Sequence, residues 1–266
     1  MNLISIYDKL LKLGKMVQTT NNFNIQNMIT EMKEKGVHFG HKKSRLHPKA
    51  YYFTLKQAGD IYYINLEETV KGLERAISFL QEVIKKGGKI LLVGTGCGAK
   101  QNILKIAEEN NFPYVIERWL GGTLTNFKTL KERINCLKEM ENQREKGEWE
   151  KYTKKEKLKL EKNYQALEKK FKGLKGMESL PDAILIVDPG LHKIVVTEAR
   201  KLKIPIVAIL DNDDDPTIID YPIPANDSAP SSINYILEQI RNGLGLAKKE
   251  ISLNQTEEKK ENLAQS

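Results

Sequence analysis

Short apolar runs alternate along the chain with longer segments in which apolar residues recur every three or four positions. The runs at 89–93, 183–187 and 206–210 are apolar at nearly every position, which is typical of strands covered on both faces. The recurring segments instead place their apolar residues along one stripe of a helix. The pattern predicts helices near 25–35, 66–84, 99–110, 194–202 and 231–244, and further strands at 61–66 and 114–116.

The order of these elements predicts the fold class. Strand, helix and strand repeat from residue 61 onward, and such repeats join through right-handed crossovers into a mostly parallel sheet. We therefore expect an α/β fold in which a mostly parallel sheet is sandwiched between helices, as in flavodoxin-like three-layer proteins. This α/β domain is expected to comprise residues 25–125 and 179–246.

The segment 126–178 breaks this alternation and carries 16 Lys and Arg residues against 10 Asp and Glu. Its apolar residues are spaced by threes and fours in two series, which are separated by Gly147 and Trp149. The series are Phe127, Leu130, Ile134, Leu137 and then Leu160, Tyr164, Leu167, Phe171, Leu174. Thr153 and Glu156 fit a capping box that opens the second helix. The segment is expected to form an antiparallel coiled-coil helical hairpin inserted into the α/β domain.

The two ends of the chain differ in composition from the rest. Residues 1–24 predict a flexible extension, and the charged segment 247–266 predicts a disordered tail. No apolar run approaches the ~18 residues that span a bilayer, so no membrane partner is expected. Residues 1–15 contain no arginine and no small-residue cleavage site, which argues against a signal or import peptide. Two cysteines fit a reducing compartment, and a formal net charge of +8 favours an anionic partner.

A glycine-rich turn at 94–98 follows a predicted strand and opens a predicted helix, where backbone amides can bind an anion. It is not a phosphate-binding P-loop, because Ala99, Lys100 and Gln101 occupy the places of its Gly, Lys and Ser or Thr. It resembles the three-glycine loop of dinucleotide or S-adenosylmethionine enzymes, with Glu117 placed to bind ribose hydroxyls. The same glycines fit a tight turn that binds nothing, so both interpretations stay open.

An acidic run follows another predicted strand. Asp211 and Asp213–Asp215 lie where sites of α/β proteins are found, and a loosely held Mg²⁺ ion is compatible with them. A solvated acidic loop that caps the sheet is the favoured interpretation.

Histidines offer a second candidate metal site. His38, His41 and His47 with Cys97 suggest zinc, but no cysteine pair lies near the histidines, so hydrogen-bonded loop residues are preferred. His192 receives no catalytic role, and no catalytic residue, metal ligand or cofactor is assigned.

Basic and aromatic residues are interleaved between Gly36 and Asp60, where five cations face one acidic residue. Arg118 and Trp119 form a second such group just after a predicted strand. Cations neutralise phosphates and flat side chains stack on unpaired bases, so the two groups predict RNA binding. The hypothesised phosphate contacts are Lys42, Lys43, Arg45, Lys49, Arg118 and Lys128, with Trp119 as a packing or stacking anchor.

The same segments carry a family resemblance. Gly36–His41 resembles the N-terminal signature of the bacterial-type second protein of the small ribosomal subunit, and Arg118–Lys128 is similar to that family's most distinctive run. The similarity spans about residues 28–244 in order and at the expected spacing. Further matching stretches are Pro48–Lys49, Thr153–Glu156, Leu180–Ala183, Val187–Pro189, Glu198–Leu202 and Asp220–Asp227. The chain departs from the family at Gly96–Gly98, where lysine and other polar residues are usual.

The resemblance implies an α/β sandwich with a protruding coiled-coil hairpin, on the solvent side of the small subunit between head and body. It implies contact with small-subunit ribosomal RNA and neighbouring ribosomal proteins, and in bacteria with the large mRNA-binding first protein of the subunit. We therefore predict a non-catalytic structural constituent of the small ribosomal subunit, without a cofactor or small-molecule substrate.

Two other classes of protein remain as alternatives. One is an S-adenosylmethionine- or nucleotide-dependent enzyme that uses Gly94, Gly96, Gly98 and Glu117. The other is a coiled-coil adaptor that acts only through its hairpin. For location, the arginine-free N-terminus favours a bacterial cytoplasm over the ribosome of a mitochondrion or plastid.

Overall fold

The computed structural model describes residues 25–55 and 59–246 of the chain. In chain order its strands are β1 (Phe39–Lys42), β2 (Thr54–Leu55), β3 (Ile61–Ile64), β4 (Ile90–Val93), β5 (Tyr114–Val115), β6 (Ala183–Val187), β7 (Ile206–Leu210) and β8 (Tyr221–Pro224). Its α-helices are α1 (25–34), α2 (Leu66–Lys85), α3 (Cys97–Asn110), α4 (Phe127–Glu145), α5 (Lys154–Phe171), α6 (Lys193–Lys201) and α7 (230–246). The predicted extension 1–24 and tail 247–266 lie outside the described residues.

Five parallel strands form the central sheet in the order β5-β4-β6-β7-β8. Counted along the chain, this is the order 2-1-3-4-5 of a flavodoxin-like doubly wound sheet. Successive residues of each central strand alternate between two apolar clusters: Ile90 and Leu92 belong to one, and Leu91 and Val93 belong to the other. Both faces are therefore buried, which explains the near-continuous apolar runs and confirms the predicted parallel α/β sheet.

Helices cover each face of the sheet. Helices α1, α2, α3 and α7 pack on the first face, through side chains such as Ile29 and Ile236. Helices α4, α5 and α6 contribute to the cluster on the second face, through side chains such as Ile134 and Val195. The three-layer arrangement predicted from the alternation of elements is confirmed. Among the described residues, no helix combines the length and apolar character needed to cross a bilayer.

Helices α4 and α5 lie between β5 and β6 in the chain and pack against each other. Every residue of the two predicted apolar series is buried or packs against the second cluster. The predicted capping box is confirmed, because the Glu156 carboxylate accepts from the backbone N–H of Thr153 at 3.1 Å and the Thr153 side chain accepts from the backbone N–H of Glu156. The antiparallel coiled-coil geometry and the domain bounds remain predictions.

Two parts of the fold differ from the sequence prediction. The segment after Gly36, predicted as a loop, contributes β1 and β2 to an antiparallel sheet of order β1-β3-β2. The strand β8 was not predicted, because Pro222 and Pro224 interrupt its β pattern. Both prolines sit in an edge strand at alternate positions, where a missing N–H removes no bond to the neighbouring strand.

Candidate functional site

The carboxyl edge of the central sheet brings the two basic segments to the same end of the molecule. Arg118 follows β5, and the segment 41–49 is held against the loop that follows β7. The backbone N–H of His41 donates to the side-chain oxygen of Asn212 at 2.8 Å, and the backbone N–H of His47 donates to the Asn212 carbonyl, also at 2.8 Å. Because all five strands are parallel, the ends of β5 and β7 lie at one edge of the sheet.

Most of the predicted cations at this edge are exposed. Lys42, Lys43, Arg45, Arg118 and Lys128 all lie on the surface. Within residues 25–55 and 59–246, none of these five forms an ion pair with a carboxylate. Their charges therefore remain available to an anionic partner.

Lys49 behaves differently from the other predicted contacts. Its Nζ lies 2.9 Å from Oδ2 of Asp215 and 2.9 Å from the hydroxyl of Thr217. Burial raises the pKa of Asp215, but hydrogen bonds from Thr217 and Lys49 outweigh that effect and lower it to about 2. The expectation that the basic segment has no acidic counterweight beyond Asp60 is wrong, because the fold brings Asp215 to it from a distant part of the chain.

The aromatic residues of the basic segment divide into exposed and buried side chains. Tyr51 and Tyr52 are each 58% exposed and Phe39 is 44% exposed, so their rings can meet a partner. Phe53 is fully buried and belongs to the core on the second face of the sheet. Only the first three are therefore placed to stack on bases.

The second basic segment folds around a buried carboxylate. Oε1 of Glu198, which lies on α6, accepts from the indole N–H of Trp119 at 3.2 Å and from the backbone N–H of Gly122 at 2.8 Å. Oε2 accepts from the backbone N–H of Leu124 at 2.9 Å, and from the N–H and hydroxyl of Thr125 at 3.1 and 3.2 Å. Sequence reasoning missed Glu198, which it used only as part of a matching stretch.

Trp119 is 8% exposed and packs in the second core cluster. Of the two roles predicted for it, base stacking is wrong, because a ring this buried has no free face. Its packing role agrees with the structure.

The glycine-rich turn has structural reasons for two of its glycines. A Cβ on Gly94 would lie 2.9 Å from the Cβ of Ala99, and one on Gly98 would lie 2.7 Å from the Cα of Pro230. Glu117, the candidate ribose ligand, has its carboxylate 3.2 Å from Nζ of Lys100 and 3.8 Å from Nζ of Lys169. Close packing and ion pairs therefore account for most of the features that suggested a cofactor loop.

His192 connects the glycine-rich turn after β4 to the loop after β6 by hydrogen bonds. Its Nδ1 lies 2.8 Å from the backbone carbonyl of Asp188, so Nδ1 carries the proton that donates to that oxygen. Its Nε2 lies 3.1 Å from the Thr95 hydroxyl, which donates to it. The ring is 4% exposed and holds two loops together.

Four aspartates gather beyond the ends of β6, β7 and β8 and form what we call the carboxylate cluster: Asp188, Asp211, Asp214 and Asp227. One oxygen from each of Asp188, Asp214 and Asp227 lies within 4.8 Å of the others, a spacing that a divalent cation can bridge. The prediction of a solvated acidic loop is wrong, because Asp211 is 1% exposed and Asp214 is partly buried.

Three carboxyl groups of the carboxylate cluster have a pKa above the ordinary value of an aspartate. Burial, followed by repulsion from the neighbouring aspartates, raises the pKa of Asp227 to about 9 and that of Asp214 to about 7. Burial also raises the pKa of Asp211 to about 6, opposed by hydrogen bonding from Asn212 and by His41. Nδ1 of His41 lies 3.0 Å from Asp211. These carboxylates lie beyond the carboxyl ends of the parallel strands, where α/β proteins usually bind ligands.

The three predicted histidines do not converge on a metal. His41 pairs with Asp211, His38 packs against the rings of Phe39 and Tyr63, and His47 accepts from the backbone N–H of Lys49. Across the described part of the chain, the only group of three or more close metal-ligand side chains is the aspartate trio of the carboxylate cluster.

The fold and its site define a doubly wound α/β protein with two long helices between β5 and β6 and exposed cations at the carboxyl edge of its sheet. The family model for Ribosomal protein S2 matches residues 32–245. The chain belongs to the ribosomal protein S2 family, which makes it a protein of the small ribosomal subunit and confirms the resemblance over nearly the predicted span. Proteins of this family are structural components of the ribosome rather than enzymes.

Proposed function

We propose that the chain is a structural constituent of the small subunit that binds small-subunit ribosomal RNA through the cations at the carboxyl edge of its sheet. The observation that carries the proposal is a set of exposed cations from two distant segments at one edge, which form no ion pair with any described residue: Lys42, Lys43, Arg45, Arg118 and Lys128. Cations so arranged neutralise phosphates where RNA helices meet and release bound counterions. Lys49 contributes less, because Asp215 already neutralises it.

The start of α4 supports an anionic partner. Its first turn contains no acidic residue and carries Lys128, although a positive charge at a helix N-terminus is unfavourable for the helix alone. A phosphate group near these backbone N–H groups would compensate that cost. The arrangement therefore favours binding to RNA over a role in helix stability.

Exposed aromatic rings beside the cations suit single-stranded or looped RNA. Tyr51 and Tyr52 lie within the same segment as Lys43 and Arg45, and both rings are more than half exposed. Unpaired bases stack on such rings, whereas paired helices are bound mainly through phosphates and ribose.

The protein partners we propose are neighbouring small-subunit proteins, with the large mRNA-binding first protein among them. The segment 126–178, with 16 basic against 10 acidic residues, extends the surface for such contacts. Tyr152 and Leu158 are 51% and 59% exposed near the turn between α4 and α5. We place this assembly in a bacterial cytoplasm, with an organellar ribosome as the alternative.

The test is the salt dependence of RNA binding. Full-length protein is titrated with small-subunit ribosomal RNA at several potassium chloride concentrations, as wild type and as the triple variant Lys42→Gln, Lys43→Gln, Arg45→Gln. Log K falls as log salt rises, and each lost phosphate contact makes the slope less negative by ~0.7–0.9. We therefore expect the slope of the triple variant to be less negative than that of the wild type by about 2–3.

A matched control removes three exposed charges at the opposite, amino edge of the sheet, in Lys86→Gln, Lys201→Gln and Lys203→Asn. The control should keep the wild-type slope. Equal slopes for the wild type and the Lys42, Lys43, Arg45 variant would refute the proposed interface.

A further inference from the structure

We propose that Glu198 is the positioning residue of the loop 118–126: its carboxylate fixes the loop conformation that presents Arg118 to RNA, without itself touching RNA. This inference rests on the proposed function. It concerns a side chain that is 6% exposed and lies on α6, more than 70 residues along the chain from the loop.

The hydrogen bonds show why the carboxylate determines the loop. Its two oxygens accept five hydrogen bonds from four loop residues, three of them backbone N–H groups at Gly122, Leu124 and Thr125. A carboxylate accepts at about four lone-pair positions, whereas a glutamine amide would present N–H groups to some of these donors. Among residues 25–55 and 59–246, no other group accepts from those three N–H groups. The conformation of the loop backbone therefore depends on the hydrogen bonds to this one carboxylate.

The charge of Glu198 is balanced by dipoles instead of a cation. Within the described residues no Lys or Arg pairs with this carboxylate, and the loop donors surround it instead. Burial raises the pKa of Glu198, but hydrogen bonds from Thr125, Gly122, Leu124 and Trp119 outweigh that effect, so its pKa is below the usual range and the group stays ionised. Arg118 directly precedes Trp119, which donates to Glu198, but in the described part of the chain its guanidinium is not paired with this carboxylate and its side chain lies on the surface.

The test compares Glu198→Gln with Glu74→Gln, an exposed carboxylate on α2 that undergoes the same change. Both variants make the chain more positive by one charge, so simple attraction to RNA would rise slightly in each. We expect Glu198→Gln to lower RNA affinity instead and to reduce the magnitude of the salt slope by about 1, which is also the change expected for Arg118→Gln. Hydrogen exchange should rise at Gly122, Leu124 and Thr125 but remain unchanged in the sheet.

A double-mutant cycle separates positioning from general destabilisation. If Glu198 acts through Arg118, Glu198→Gln and Arg118→Gln are strongly non-additive, while Glu198→Gln and Lys43→Gln add. Additive effects with Arg118→Gln, or unchanged loop exchange in folded Glu198→Gln, would overturn the inference. Should Glu198→Gln not fold, Trp119→Phe removes one donor to Oε1 and keeps the carboxylate: faster exchange at Gly122 with weaker binding supports positioning, and unchanged exchange overturns it.

The two proposals fail in different ways. If the Lys42, Lys43, Arg45 variant weakens binding and Glu198→Gln does not, the positioning role alone is wrong. If neither variant changes the salt slope, the RNA interface itself is wrong.

Discussion

Asp227→Asn should change how the stability of the fold depends on pH. Asp227 is 7% exposed, and its pKa rises from 3.8 to about 9 through burial and then through repulsion from Asp188, Asp211, Asp214 and Asp213. Between these two values the folded protein holds a proton that the unfolded chain releases. A raised carboxyl pKa therefore contributes stability that is fully present below about pH 4 and is lost as the pH rises toward 9.

The size of the effect follows from one proton. Each pH unit inside this window costs the wild type about 1.4 kcal/mol, so the loss through Asp227 between pH 6 and pH 8 is about 3 kcal/mol. Below pH 9 the wild-type side chain is neutral, so an asparagine leaves the charge seen by its neighbours nearly unchanged. An asparagine oxygen can still accept from the backbone N–H of Asp211, as Oδ2 of Asp227 does at 3.2 Å.

The assay is urea unfolding of the wild type and Asp227→Asn from pH 5 to pH 8, with a chelator present. The chelator is needed because a divalent cation held by three carboxylates would keep them ionised and remove the dependence. The stability of the variant relative to wild type should rise by about 3 kcal/mol between pH 6 and pH 8. The control is Asp60→Asn, which is exposed outside the carboxylate cluster and should leave the curve parallel to wild type. Parallel curves for Asp227→Asn would refute the reasoning.

Two further predictions concern packing, and urea unfolding measures both. Gly98→Ser should destabilise the fold by about 1–3 kcal/mol, because its Cβ would lie 2.7 Å from the Cα of Pro230. Gly96→Ser should change stability by less than about 0.5 kcal/mol, because nothing lies within 4 Å of its Cβ position and serine suits the N-cap of α3; equal losses at both positions would contradict this. Ile134→Ala, at a site 2% exposed, should cost about 2–5 kcal/mol, whereas Leu158→Ala, at 59% exposure, should cost less than about 0.5 kcal/mol. A reversed order would show that the apolar series of α4, which contains Ile134, does not face the core as described.

The sequence pattern was sufficient to predict elements whose burial follows a regular pattern along the chain. The buried strands β4, β6 and β7 were predicted from their continuous apolar runs, because a strand covered on both faces needs no polar position. The apolar series of α4 and α5 were predicted from spacing alone, and their side chains are either buried in the second core cluster or partly buried against it. These features depend only on residues close together in the chain.

Contacts between distant segments were not predictable in the same way. Asp215 neutralises Lys49 although the two residues are 166 positions apart in the sequence. No residue close to Lys49 in the sequence indicates this ion pair. The carboxylate cluster draws Asp188 and Asp227 from separate loops, and only Asp211 and its neighbours formed a visible acidic run. One signal was available: each of these aspartates follows a strand of one parallel sheet, and the carboxyl ends of such strands meet.

The role of Glu198 was not predicted, because its position in α6 fits the apolar stripe of that helix. In α6 it occupies a buried position between Val195, Val196 and Ala199, where the apolar stripe predicts a hydrophobic side chain. A charged residue on an apolar stripe is costly to bury unless it is fully hydrogen-bonded. That mismatch is itself a signal, because it predicts that hydrogen-bond donors from elsewhere in the chain surround the carboxylate. The loop 118–126 supplies these donors.

The carboxyl edge of the sheet is consistent with the proposed binding of RNA at the surface of the fold. In doubly wound proteins a ligand enters between the strand ends at the point where their order reverses, here between β4 and β6. That position is occupied by the buried His192, which bonds to the Thr95 hydroxyl and to the Asp188 carbonyl. The loop after β5 donates hydrogen bonds to Glu198. The loops after β7 and β8 are joined within the carboxylate cluster, where the backbone N–H of Asp211 donates to Asp227. His192, Glu198 and Asp227, which would face a ligand in an open crevice, thus bond to neighbouring loops. The exposed cations lie outside these contacts, where we propose that an extended anion such as folded RNA reaches them.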